Sequence, residues 1–253
     1  MPTCTFFDRN LYYDDIGDGI AVVFIHPPGM GRVVFQNQRS LSKSFRIILP
    51  DLGGHGDSIN SASFASIETF VEEIKAILDH IGISSCVLVG YSAGGIIAQE
   101  FVYRYPDAVI SLVLAGGYPK VTSQSLKLMH LLGMKMVKNK PDRLIKVLAK
   151  AHSKEKEFQQ TLIQHMEKAN TKIWYQFYKQ SLYYDGLDRI ERITMPLLLI
   201  YGKKSDWANS QSGLFEDCKQ QKMKFIPKAS HQLPTLFYEP FNSILVEELN
   251  QYT

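Results

Sequence analysis

Ser92 lies in the pentapeptide Gly90-Tyr91-Ser92-Ala93-Gly94, directly after the apolar run Cys86-Val87-Leu88-Val89 and before a helical pattern. A strand that turns at once into a helix forces its turn residue toward positive φ and lifts that side chain clear of the sheet edge. Glycines at Gly90, Gly94 and Gly95 tolerate the crowding. The backbone N–H of Ala93, at a helix start whose dipole is positive, then points at whatever Ser92 attacks. The chemistry this predicts is nucleophilic attack by a serine hydroxyl. The same string also occurs where a serine merely caps a helix behind a glycine-rich turn, so the reading rests on partners elsewhere in the chain.

A nucleophilic serine needs a base to take its proton and a carboxylate to hold that base in the right tautomer. Both follow downstream, in the order serine, acid, histidine. Leu197-Leu198-Leu199-Ile200-Tyr201 reads as a strand with Asp206 in the loop at its end. Met223-Lys224-Phe225-Ile226-Pro227 reads as another, with His231 in the loop beyond. Asp217, on an expected helix, is the alternative acid. Among the remaining histidines, His80 and His165 fall in helical patterns, and His130 and His152 fall in lysine-rich stretches that read as solvated faces. His26 ends an early strand and His55 lies in a glycine-rich turn, and both are expected to hold loops through hydrogen bonds. The base is therefore assigned to His231.

The elements that must position these groups alternate between strand and helix, the pattern of a mainly parallel sheet covered on both faces. Short apolar runs at Phe45 to Leu49, Cys86 to Val89 and Val109 to Ala115 read as buried strands. Apolar positions from Ile67 to Ile81 keep helical spacing, with Ser66 as N-cap and Gly82 beyond the end. Ile244, Leu245 and Leu249 predict a closing helix. Between about Tyr118 and Ile190 strand signals stop, and helical stretches rich in lysine and large apolar residues take over.

With these landmarks in place, the chain resembles an α/β-hydrolase over nearly its full length. Tyr12-Tyr13-Asp14-Asp15-Ile16-Gly17 and Ala21 to His26 are similar to that family's opening hairpin and third strand. Asp51-Leu52-Gly53-Gly54-His55-Gly56-Asp57-Ser58 is similar to its D-x-x-G-H-G-x-S turn, and Gly90 to Gly94 to its nucleophile elbow. The resemblance implies an α/β fold with a core of residues 1–117 and 191–253 and a helical cap, residues 118–190, inserted above the strand ends. It also implies a Ser92, Asp206 and His231 triad. Where the family follows its strand-three histidine with glycine, this chain reads His26-Pro27-Pro28-Gly29-Met30-Gly31. Proline has no N–H to give, which leaves Gly29 or, preferably, Met30 as the second oxyanion donor beside Ala93. In the cap and beside the nucleophile, Tyr91, Met134, Trp174 and Tyr178 are the expected substrate contacts, while most apolar cap residues pack helix against helix.

The activity implied is hydrolysis of carboxylic esters of short to medium acyl chains through an acyl-enzyme, the small-molecule ester being the expected partner. It should fall as pH drops through a histidine pKa of about 6 to 7. A serine at the elbow argues against relatives that use aspartate as nucleophile. The alternatives are a carbon-carbon bond hydrolase and a small-molecule sensor with slow turnover that signals through a protein partner. No metal or other cofactor is expected. Net charge is +3, from 28 basic and 25 acidic residues, too balanced to suggest nucleic acid. The basic excess in the first half of the cap reads as a solvated face. No segment reads as a signal peptide or membrane span, and no membrane partner is expected. Cytoplasmic location is the default, in keeping with three cysteines, Cys4, Cys86 and Cys218, that read as structural.

Overall fold

The computed structural model describes all of the chain except residues 1, 8, 60–63, 206–208 and 253. Its eight strands are β1 (Thr3–Phe6), β2 (Arg9–Ile16), β3 (Ala21–Ile25), β4 (Arg46–Pro50), β5 (Cys86–Tyr91), β6 (Val109–Ala115), β7 (Leu197–Gly202) and β8 (Gln221–Ile226). They form one sheet in the order β1-β2-β4-β3-β5-β6-β7-β8. β1 and β2, and β2 and β4, pair antiparallel, and every later pairing is parallel. β3, β5 and β7 are buried along their whole length, as parallel strands covered on both faces must be.

The two faces feed two apolar cores. Along β5, Cys86 and Leu88 pack with α1 (Ile67–His80) and α2 (Gly94–Arg104), whereas Val87, Val89 and Tyr91 point the other way, toward Phe35 and the closing helix Tyr238–Leu249. The expected helix start at Ser66 is present: its hydroxyl accepts the Thr69 N–H at 3.1 Å, which satisfies one donor of the first turn. All three cysteines are buried thiols. No helix among the described residues is long and apolar enough to cross a membrane.

Between β6 and β7 the chain forms four helices, α3 (Gln124–Asn139), α4 (Pro141–His152), α5 (Lys156–Met166) and α6 (Thr171–Tyr183). The two ends of this excursion are clasped: Lys120 and Asp185 form an isolated bridge, and Gly186 N–H donates to Pro119 O at 3.0 Å. A second anchor lies in the 51–58 turn. Asp51 accepts Arg32 N–H at 2.6 Å, the Arg32 guanidinium and, from α5, the His165 imidazole at 2.9 Å. Burial alone would raise the Asp51 pKa, but the hydrogen bond from His165 and the Arg32 guanidinium hold it at about 2.

Candidate active site

Ser92 occupies the junction of β5 and α2 with φ of 54°, in the left-handed region that costs a non-glycine residue about 1–3 kcal/mol. What enforces this is close backbone contact on both sides. A Cβ on Gly90 would lie 2.4 Å from Gly95 Cα, and one on Gly94 would lie 2.3 Å from Ile25 O. The Ser92 amide stays in the sheet, donating to Ala115 O at 2.9 Å, while its side chain enters a cavity at the carboxyl ends of the parallel strands, where open α/β sheets bind their ligands.

That cavity has a volume of about 130 Å³. His231 lines it as well, arriving from the loop after β8. Its ring packs over Gly116, where an added Cβ would meet Nδ1 at 2.7 Å, and lies 5.3 Å from the Tyr91 ring. Burial, helped by the nearby His152, lowers the His231 pKa to about 3, so the imidazole is neutral over a wide range. The loop after β7 is sewn to the one that carries His231. Lys203 N–H donates to Ile226 O at 3.1 Å and Lys204 N–H to Ala229 O at 2.8 Å. Asp206 itself lies outside the described residues. The alternative acid, Asp217, is an exposed turn residue rather than a helical one and does not line the cavity.

The Pro27–Met30 segment is a tight turn of the type that takes proline second and glycine third. Gly29 has φ of 83°, and Met30 N–H donates back to Pro27 O at 3.3 Å. The Met30 amide, expected as second oxyanion donor, thus closes the turn, and Met30 lines the cavity. Gly29 lies under Trp174, whose ring a Cβ there would meet at 2.1 Å, and it is not in the cavity wall. Ala93, at the start of α2, does line it.

Of the expected substrate contacts, Tyr91 and Tyr178 line the cavity. Met134 and Trp174 do not: both are buried, with Trp174 stacked on Tyr178 at 6.5 Å, so they support the wall from behind. The histidines expected on solvated faces, His130 and His152, are buried in that wall. Each is built the same way. His152 Nδ1 lies 2.8 Å from Leu148 O and Nε2 3.1 Å from the Tyr91 hydroxyl; His130 Nδ1 lies 2.9 Å from Leu126 O and Nε2 2.8 Å from the Tyr118 hydroxyl. A carbonyl only accepts, so Nδ1 carries the proton in both, and Nε2 accepts from the tyrosine. Burial lowers both pKa values, that of His152 to about 4. The helical spacing of His130 with Leu126, Met134 and Val137, and of His152 with Leu144, Ile145 and Ala149, was the available signal that they face inward. Gln232, beside His231, is a further wall residue without a sequence signal.

Asp51, Asp57 and His165 bring three ligand-type atoms within 4.8 Å of one another. Their oxygens are already taken by Arg32, by Lys168 and by the amides of Arg32 and Asp57. The cluster is a charge-compensated anchor for α5.

A family model described as alpha/beta hydrolase fold matches residues 20–151. Over 115 residues the chain is 34% identical to a pimeloyl acyl-carrier protein methyl ester esterase from Vibrio cholerae, covering 45% of this chain and 43% of that protein. Over 114 residues it is 35% identical to a 2-hydroxy-6-oxo-2,4-heptadienoate hydrolase from Pseudomonas putida, covering 43% and 41%. The chain thus spans less than half the length of the curated relatives it matches. An esterase from Exiguobacterium antarcticum superposes with a TM-score of 0.86 at 21% identity, covering 98% of each chain.

Proposed function

Because the chain belongs to the alpha/beta hydrolase fold family, we propose that it is a serine hydrolase cleaving carboxylic esters of short to medium acyl chains through an acyl-enzyme. The observation that carries this reading is Ser92 held at positive φ between β5 and α2, in a cavity it shares with the neutral imidazole of His231. Ser92 attacks the ester carbonyl, and His231 takes its proton and passes it to the departing alcohol. Asp206 orients the imidazole and stabilises its cation. The Ala93 N–H holds the oxyanion, aided by the dipole of α2. Water activated by His231 then releases the acid.

The size and lining of the cavity support the short end of the acyl range. About 130 Å³ is close to the roughly 150 Å³ that holds a benzene-sized group. The polar groups of its Tyr91–His152 and Tyr118–His130 walls satisfy each other, which suits an uncharged acyl chain. The described lining residues include no lysine or arginine, which favours a neutral ester over the carboxylate substrate in the name of the Pseudomonas putida relative.

The test is steady-state hydrolysis of p-nitrophenyl esters from acetyl to dodecanoyl, with wild type beside Ser92→Ala. Turnover by wild type, strongest for the shorter chains and absent in Ser92→Ala, is the expected result. A folded wild type that cleaves no ester would overturn it and bring forward the carbon-carbon hydrolase or the slow-turnover sensor.

A further inference from the structure

The outer face of α3 and α4 is unusual for a solvated surface. Leu128, Leu131 and Leu132 follow one another at helical spacing on α3 and are all exposed, Leu128 at 64%; Met129 on α3 and Val147 on α4 are exposed beside them. Such a contiguous apolar patch on a water-facing helix marks an interaction surface. Around it, from Lys127 to Lys150, stand seven lysine and arginine side chains against the single acid Asp142. All seven are exposed, and among the described residues none forms an ion pair. Between the two helices runs an open groove floored by Leu132, Met136 and Val147, with Lys135, Lys140 and Arg143 along it.

We propose that this face docks on an anionic lipid surface. A second copy of the chain would bring the same cations against each other, which disfavours self-association. Protein interfaces draw much of their energy from tyrosine and tryptophan, and neither α3 nor α4 contains an aromatic residue other than histidine. Leucine on one face and lysine beside it is the composition of helices that lie in the headgroup region of a bilayer. Docking is peripheral, since no described helix is long and apolar enough to span.

The face also communicates with the serine. Met129 is half exposed on the patch and at the same time lines the Ser92 cavity. An amphiphilic ester held in the lipid surface would thus meet the cavity mouth directly. That consequence rests on the proposed hydrolase reading; the docking does not.

The experiment is co-sedimentation of the full chain with vesicles of phosphatidylglycerol mixed into phosphatidylcholine, and with vesicles of phosphatidylcholine alone, at low salt and at about 0.5 M salt, where surface charges are screened. The expected result is capture by the anionic vesicles only, weakened by salt. In Leu128→Ser/Leu132→Ser and in Lys135→Glu/Lys138→Glu capture should fall at least about tenfold. Because these side chains are exposed, both variants should keep the wild-type melting curve and wild-type rates on a soluble short ester. No capture at low salt, or equal capture by uncharged vesicles, overturns the proposal. Binding to soluble polyglutamate that matches vesicle binding and ignores Leu128→Ser/Leu132→Ser would assign the face to an acidic macromolecule and overturn it too. Vesicle capture does not need Ser92 chemistry, so it can fail or succeed independently of the ester assay.

Discussion

The hydroxyl of Tyr91 donates to Nε2 of His152 across 3.1 Å, tying the residue before Ser92 to the end of α4. The same tyrosine ring lies against His231 at 5.3 Å, so one side chain contacts both His231 and α4. Tyr91→Phe keeps the ring and leaves the buried His152 nitrogen without its donor, a loss of about 1–3 kcal/mol. In a chain of this size that lowers the melting temperature by roughly 2–10 °C. Tyr91→Phe and His152→Phe should be strongly non-additive, with a coupling of about 1 kcal/mol or more in a double-mutant cycle. Additive losses would mean that the bond contributes nothing.

Acid should destabilise the fold well before the carboxylates protonate. Burial lowers the pKa of His26 to about 4, His55 to about 3, His152 to about 4 and His231 to about 3, against about 6.5 in the unfolded chain. Between pH 6.5 and 4 the unfolded state therefore binds more protons, and stability falls as pH falls, at up to about 1.4 kcal/mol per pH unit for each histidine. Glu73 works with the opposite sign. Burial raises its pKa to about 7, above its unfolded value, so its contribution is present at low pH and lost as pH rises through 7. The four histidines outweigh this single carboxyl below pH 7, and above it none of these groups differs between the two states, so thermal melts from pH 4 to 8 should rise steeply to about pH 7 and then level off. A flat profile down to pH 4 would contradict the neutral buried histidines.

Two glycines, one after α1 and one in the β5–α2 junction, separate strain from collision. Gly82 has φ of 69° with nothing within 4 Å of an added Cβ, whereas Gly90 faces backbone at 2.4 Å. Gly82→Ala should cost about 1 kcal/mol, the price of a left-handed alanine. Gly90→Ala cannot be relieved by a side-chain rotation and should cost about 2–4 kcal/mol. Urea denaturation of the two variants makes the comparison; equal losses would show that the junction yields.

These cases also mark how far sequence reasoning reaches. Strands β5, β6 and β7 were legible because fully buried parallel strands are written as unbroken apolar runs, and α1 because its apolar stripe and Ser66 cap are local signals. The elbow was legible for the same reason, its glycines standing next to the serine they accommodate. His130 and His152 were misread because seven cations nearby suggested water on all sides, while helical geometry turns one residue in four inward regardless of its neighbours. His165 was legible as helical, but its bond to Asp51 spans 114 residues, and no local pattern encodes such a distance. That the Met30 N–H turns back to Pro27 O was not legible either, since it follows from turn geometry rather than from residue type.

Under the proposed hydrolase reading, the pH dependence of catalysis follows from where His231 sits. An imidazole acts as a base only when neutral, so the acid limb of kcat/KM reports its protonation in the free enzyme. An ordinary histidine would place that limb at about 6 to 7. Burial, with the neighbouring His152, pushes the His231 pKa down to about 3, so the limb moves to lower pH and activity on a soluble short ester should stay level from pH 8 to about 5. Acid unfolding would mimic a limb, so each sample is returned to neutral pH after brief exposure and reassayed; full recovery separates inactivation from titration. His231→Ala should remove the activity at every pH. A reversible limb at pH 6 to 7 in wild type would mean that burial does not set the protonation of this imidazole, and the neutral resting state at acid pH would have to be given up.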